Sequence, residues 1–168
     1  LAGPQGWETY SVAASPNPLD HQNIQLALVL VKSWQTSRAA DQLAGILPSD
    51  GVALTLQNGI GSGSTLIAAL GEERVVRGVT STGATLLGPG KVRPGGEGEI
   101  ILCEHPRTDR LVVFLNKAGF QTAVVSDLSA VIWEKLVVNT ASNPLTGLLG
   151  VPNGVLLESP AAREIMRQ

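Results

Sequence analysis

The apolar positions of this chain fall into short continuous runs in its first half and a helical spacing in its second. Leu26–Val31 is unbroken and rich in Val and Leu, the pattern of a strand buried on both faces. Ser37–Leu47 follows with Ala39, Ala40, Leu43, Ile46 and Leu47 at helical intervals. Pro48 and Gly51 then punctuate. Val52–Leu56 predicts a second buried strand, Ser64–Leu70 a short helix stopped by Gly71, and Val75–Val79 a third strand. Strand, helix, strand, helix, strand argues for an α/β layer with parallel strands.

The pattern then changes. From Ala84 to Glu104 glycine and proline dominate, with strand character at Val92 and at Ile100–Leu102, which suggests antiparallel pairing. Asp109–Ala118 predicts a helix closed by Gly119, and Thr122–Val125 one more strand. Leu128–Leu149 has helical spacing and would run about 33 Å. Pro144 inside it should kink or end that helix. Val151–Gly154 reads as a turn, and Ser159–Gln168 as a helix capped by Ser159 with Pro160 in its first turn. The opening Leu1–Asn23 is loop-like. The first residue is not Met and the last helix has no stop signal, so the chain is expected to be a segment of a longer one.

Composition narrows the function. Of 168 residues, 43% are hydrophobic and 15% charged, which fits a folded globular protein. A formal net charge of -2 and only 4% aromatics argue against a nucleic-acid partner. The apolar runs are too short for a membrane span. Cys103 is the sole cysteine and no export signal opens the chain, so a cytoplasmic setting is expected. His21 and His105 lie far apart with no cysteine pattern, so no metal site is expected.

The candidate chemistry sits on the long helix. Lys135, Asn139 and Asn143 recur at i, i+4 and i+8 and drift only about 80° around the axis, so they share a face. A solvated stripe is the ordinary reading, but such stripes favour Glu, Lys and Arg, and Asn is a poor helix former. One lysine and two amides among apolar neighbours point instead to a binding face. Lys32 and Asn58 each follow a buried strand, where side chains of an open α/β sheet enter the ligand crevice. For Asn58 the alternative is plain turn chemistry, since Asn-Gly is a common turn pair. Gly59-Ile60-Gly61-Ser62-Gly63 is not a dinucleotide fingerprint: Ser64 stands where the third glycine is required, and no acidic residue lies about twenty positions on. Its glycines could still let the backbone approach a ligand.

Several of these segments together carry a resemblance. Lys32-Ser33-Trp34-Gln35 after its strand, Gln57-Asn58-Gly59-Ile60-Gly61, Gly78–Ala84, Trp133-Glu134-Lys135-Leu136 with Asn139 and Asn143-Pro144-Leu145-Thr146, and Pro152-Asn153-Gly154 resemble, in order, the motifs of ketopantoate reductases. The resemblance implies the second half of a Rossmann-type parallel sheet with an antiparallel extension, leading into an all-helical C-terminal domain. It implies a partial NADP-binding domain over residues 1–126 and the start of the helical substrate domain over 127–168. The implied activity is NADPH-dependent reduction of 2-dehydropantoate to pantoate in coenzyme A biosynthesis by a longer parent, with a homodimer as the assembly to test. By the same resemblance Lys135 is the proton donor and Asn139, Asn143 and Asn153 bind substrate. Asn58 touches substrate and cofactor, and Lys32, Gln35 and Ala84 meet the cofactor. Thr82 departs from the pattern, standing where some relatives have His. Two alternatives stay open: a related reductase of another 2-keto acid, and a truncated, non-catalytic interaction module.

The family's leading strand and G-x-G-x-x-G loop, and the basic residue that reads the 2′-phosphate of NADPH, have no match in this sequence. The 168-residue chain is therefore expected to bind NADPH weakly or not at all in titration calorimetry. A tight, saturable one-to-one signal would mean that the cofactor site lies elsewhere, or that chains complement one another by exchange.

Overall fold

The computed structural model describes residues 2–3, 6–21 and 23–167. The chain divides into two compact units, one ending at Leu128 and one beginning at Ser129.

The first unit opens with a small antiparallel pair, β1 (Ala2–Gly3) and β2 (Gly6–Trp7), followed by a 3₁₀ turn at Pro18–Asp20. The alternating layer comes next: β3 (Leu26–Val29), a 3₁₀ turn at Ser33–Gln35, α1 (Thr36–Ile46), β4 (Val52–Thr55), α2 (Ser62–Leu70) and β5 (Val75–Thr80). Then follow β6 (Ala84–Gly88), β7 (Lys91–Pro94), β8 (Glu99–Cys103), α3 (Thr108–Lys117) and β9 (Gln121–Val125). The main sheet has the order β3-β4-β5-β8-β9. β3, β4 and β5 are mutually parallel, as the alternation of runs and helices predicts. β8 turns antiparallel against β5, and β9 lies parallel to β8. β6 and β7 form a separate hairpin. Its first strand has no counterpart in the sequence reading, because β6 is exposed almost throughout and shows no inward-facing alternation.

β4 holds the layers together. All four of its residues are buried, with Ala53 and Leu54 fully so. Val52, Leu54 and Leu56 pack with Val76, Ile100 and Leu102 against Leu111 and Leu115 of α3. Ala53 faces the other way, with Val29 and Val75, onto Ala40, Leu47, Leu66 and Leu70 of the α1–α2 layer. An α/β sheet covered on both faces reads as a continuous apolar run for this reason. β3 departs from that expectation. It is the edge of the described sheet, it stops at Val29, and Leu28, Leu30 and Val31 are exposed. At the far end of the sheet two arginines hold the connections to β4 and β5. Arg107 donates to the carbonyls of Asp50 and Gly51, both at 2.7 Å. Arg74 donates to those of Leu70 at 2.7 Å and Leu47 at 3.2 Å.

The second unit is helical: α4 (Ser129–Leu149), α5 (Asn153–Glu158) and α6 (Pro160–Arg167). α4 runs to Leu149, the end that its spacing predicts, and of the two effects expected of Pro144 it does not show a stop. Proline removes only its own N–H from the ladder, and the hydroxyls of Ser142 and Thr146 bond to carbonyls of the preceding turn around it. Asn153 and Gly154 are not turn residues: they open α5, with Pro152 in extended conformation before them. Ser159 does cap the last helix, its hydroxyl accepting from the N–H of Ala162 at 3.3 Å. No helix among the described residues is long and apolar enough to cross a membrane.

Gly78 marks the tightest approach within the sheet. A Cβ there would lie 2.7 Å from side-chain carbons of both Leu56 and Leu102 and 2.9 Å from the Ile101 carbonyl oxygen. Gly78→Ala should cost about 1–3 kcal/mol of stability through overpacking. Gly83→Ala, where a Cβ meets nothing within 4 Å, serves as the control. Urea denaturation of both variants checks this, and equal midpoints would refute the packing argument.

Candidate active site

Three neighbouring parallel strands end on one edge of the sheet, and four of the sequence-predicted residues follow those ends. Lys32 and Gln35 come after β3, Asn58 after β4 and Ala84 after β5. This is the edge at which open α/β sheets bind ligands. Lys32 and Gln35 are drawn together directly: the Lys32 backbone N–H donates to Gln35 Oε1 at 3.2 Å, closing the 3₁₀ turn that leads into α1. Asn58 is exposed just beyond the buried end of β4, and Ala84 is the exposed first residue of β6.

A residue given no role from sequence joins the first two ends. The Gln57 side-chain amide donates to the Val31 carbonyl at 2.7 Å and to Thr36 Oγ1 at 2.9 Å, while its oxygen accepts from the Thr55 hydroxyl at 3.1 Å. The available signal was its position, a polar side chain directly after a fully buried strand. The following loop uses its glycines. Gly61 precedes α2 with φ of +105°, a left-handed conformation that side chains other than glycine rarely take. Gly63 is buried, and a Cβ on it would strike the Arg77 side chain at 2.6 Å.

The second unit carries the other candidates. Lys135, Asn139 and Asn143 all lie on α4, on the shared face that the spacing requires. Lys135 and Asn139 are half-buried and Asn143 is exposed. Asn153, also exposed, is the first residue of α5. Burial pushes the Lys135 ammonium below the ordinary lysine pKa, because partial removal from water disfavours the charged form. An amine adjusted in this direction releases its proton more readily than a solvated one. Among the described residues no group of three or more His, Cys, Asp or Glu side chains is placed to hold a metal ion.

Comparison with known proteins identifies the family of the chain. Residues 3–107 match the family model described as ketopantoate reductase PanE/ApbA, and residues 127–168 match the model of its C-terminal part. The 2-dehydropantoate 2-reductase of Halobacterium salinarum is 32% identical over 163 residues, covering 94% of this chain and 53% of that protein. The one from Archaeoglobus fulgidus is 32% identical, covering 87% and 50%. The chain thus spans about half the length of the curated relatives it matches. Among solved structures, the 2-dehydropantoate 2-reductase of Geobacter metallireducens superposes with a TM-score of 0.81 at 32% identity, over 89% of this chain and 52% of that one. A PanE/ApbA family ketopantoate reductase from Ralstonia eutropha gives 0.83 at 30%, over 95% and 53%. A D-mandelate dehydrogenase solved with NADH and anilino(oxo)acetate shares the fold at 24% identity and a TM-score of 0.77. Matched by the two models of one family over residues 3–107 and 127–168, this chain belongs to the ketopantoate reductases.

Proposed function

We propose that this chain is the central part of a reductase that uses NADPH to convert 2-dehydropantoate to pantoate, with Lys135 as the proton donor. The observation that carries the reading is the half-buried lysine on α4, with its lowered pKa and with Asn139 one turn further along the same face. Relatives named 2-dehydropantoate 2-reductase support the choice of substrate. Residues 1–126 are then part of the NADP-binding domain and residues 127–168 the start of the substrate domain. A homodimer and a cytoplasmic setting belong to the same proposal.

The residues at the sheet edge fit one end of a dinucleotide. Lys32, Gln35, Asn58 and Ala84 follow the carboxyl ends of three adjacent strands. The glycine loop before α2, with Gly59 and Gly61 at positive φ, leaves backbone open to approach. Those four residues would hold the nucleotide, which when bound supplies the hydride for the keto carbon. Lys135 holds the proton that the developing alkoxide oxygen needs. Asn139, Asn143 and Asn153 bind the carboxylate and hydroxyl groups of the substrate without adding charge.

Two measurements test the role of Lys135. In the full-length protein, Lys135→Ala should lower kcat by about 10²–10⁴-fold, the usual contribution of general acid catalysis. Asn139→Ala and Asn143→Ala should act more on KM for 2-dehydropantoate. A Lys135→Ala variant within twofold of the parent kcat would remove Lys135 from the mechanism, and a preference for another 2-keto acid would reassign the substrate.

The second measurement is titration. The acid form of Lys135 is the active one, so kcat should fall as pH rises through its folded pKa, which burial places below the ordinary lysine value. Between those two values the folded chain binds fewer protons than the unfolded chain, so Lys135 makes stability rise with pH across that window. A Lys135 side-chain ¹³Cε titration by NMR, with Lys135→Met to assign it, should show the early midpoint. A midpoint at the ordinary lysine value would contradict it.

A further inference from the structure

We infer that Gln57 is the positioning residue of the nucleotide edge, a single side-chain amide that sets the conformation of residues 31–36 and ties it to Asn58; this rests on the functional reading above. Both amide hydrogens and the amide oxygen are engaged. Nε2 donates to the Val31 carbonyl at 2.7 Å and to Thr36 Oγ1 at 2.9 Å. Oε1 accepts from the Thr55 hydroxyl at 3.1 Å, and the Gln57 backbone N–H reaches Thr55 Oγ1 at 3.4 Å. The orientation of the amide is fixed, because a flipped one would set its oxygen against the Val31 carbonyl, which has no proton to give.

The partners show how much of the fold serves this contact. Thr36 and Thr55 are 2% and 3% exposed, and they are two of the three polar residues among the described residues that are buried so fully. Each would leave a buried hydroxyl short of a partner if Gln57 were lost. The two donor contacts bracket a short segment: Val31 lies just before Lys32, and Thr36 just after Gln35. Within that bracket the Lys32 N–H bonds to Gln35 Oε1 at 3.2 Å. Lys32, Gln35 and Asn58, which all follow from two different strand ends, therefore depend on one amide for their relative placement. Gln57 itself is half-buried and points back into the protein, so it acts through these residues rather than on the nucleotide.

The test has a structural arm and a kinetic arm. Hydrogen exchange on the 168-residue chain, comparing the parent with Gln57→Leu and Thr36→Val, should show faster exchange for Lys32–Thr36, with Ala53–Thr55 of β4 unchanged. Loss of a net hydrogen bond corresponds to a change of about tenfold. In the full-length protein the same variants should raise KM for NADPH about tenfold while kcat stays within about threefold, the signature of lost cofactor binding rather than lost chemistry. Thr36→Ser, which keeps the hydroxyl, should restore both readouts. Unchanged exchange at residues 32–36 would overturn the inference. So would faster exchange with KM for NADPH unmoved, since the tie would then be structural alone. A parent protein that exchanges as described but does not reduce 2-dehydropantoate with NADPH would refute the functional reading and leave the tie itself supported.

Discussion

The complete burial of β4 is the constraint on which the first unit depends. Leu54 and Ala53 are inaccessible to solvent, one facing the α3 side of the sheet and the other the α1–α2 side. Burying a side chain of leucine size contributes roughly 1.5–3 kcal/mol, which β4 gains at Leu54 on the α3 side, while the small Ala53 lets the α1–α2 layer pack on the other. A strand enclosed in this way can take part in chemistry only where it emerges. The positions just past Leu56 are the first that combine a rigid anchor with access to solvent. Gln57 and Asn58 occupy them, one turned inward to bind β3 and α1 and the other left exposed.

That division of labour explains what the sequence discloses. The three parallel strands and their intervening helices were legible because burial on two faces forces continuous apolar runs, and Val52–Leu56 is the extreme case. The stripe of Lys135, Asn139 and Asn143 was legible because helical periodicity converts spacing directly into a shared face. The roles given to those residues came from likeness to a family, and the geometry alone supplies only the half-burial of Lys135 and its lowered pKa.

Other features were hidden for physical reasons. β6 and β7 pair only with each other and stay exposed, so backbone hydrogen bonding holds them without leaving an apolar signature. Pro144 does not stop α4, because proline withholds a single donor and the hydroxyls of Ser142 and Thr146 bond carbonyls around it. Asn153 looked like turn chemistry, yet proline before it sets an extended entry from which a helix can start. The exposed flank of β3 escapes the sequence pattern, since a run of apolar residues does not tell an edge strand from a central one. Gln57 is inconspicuous in sequence because its importance lies in its contacts with Thr36 and Thr55, neither of which stands out there.

The reversal of direction between β5 and β8 has an electrostatic consequence. α1 and α2 each return from the carboxyl edge of β3 and β4, so both present their amino ends at that edge, which Lys32 also follows. α3 follows the reversed strand β8 and presents its amino end at the opposite edge, near Glu104 and Asp109. Each helix carries the equivalent of roughly half a positive charge at its amino end. Two such ends and a lysine ammonium gather on one side of the sheet, while the third is met by carboxylates on the other. The opposite edge also holds Arg107 and Arg74, whose guanidinium groups are spent on backbone carbonyls there, so it is the pair of helix amino ends that distinguishes the edge followed by Lys32, Gln35 and Asn58 as one that favours a negatively charged ligand.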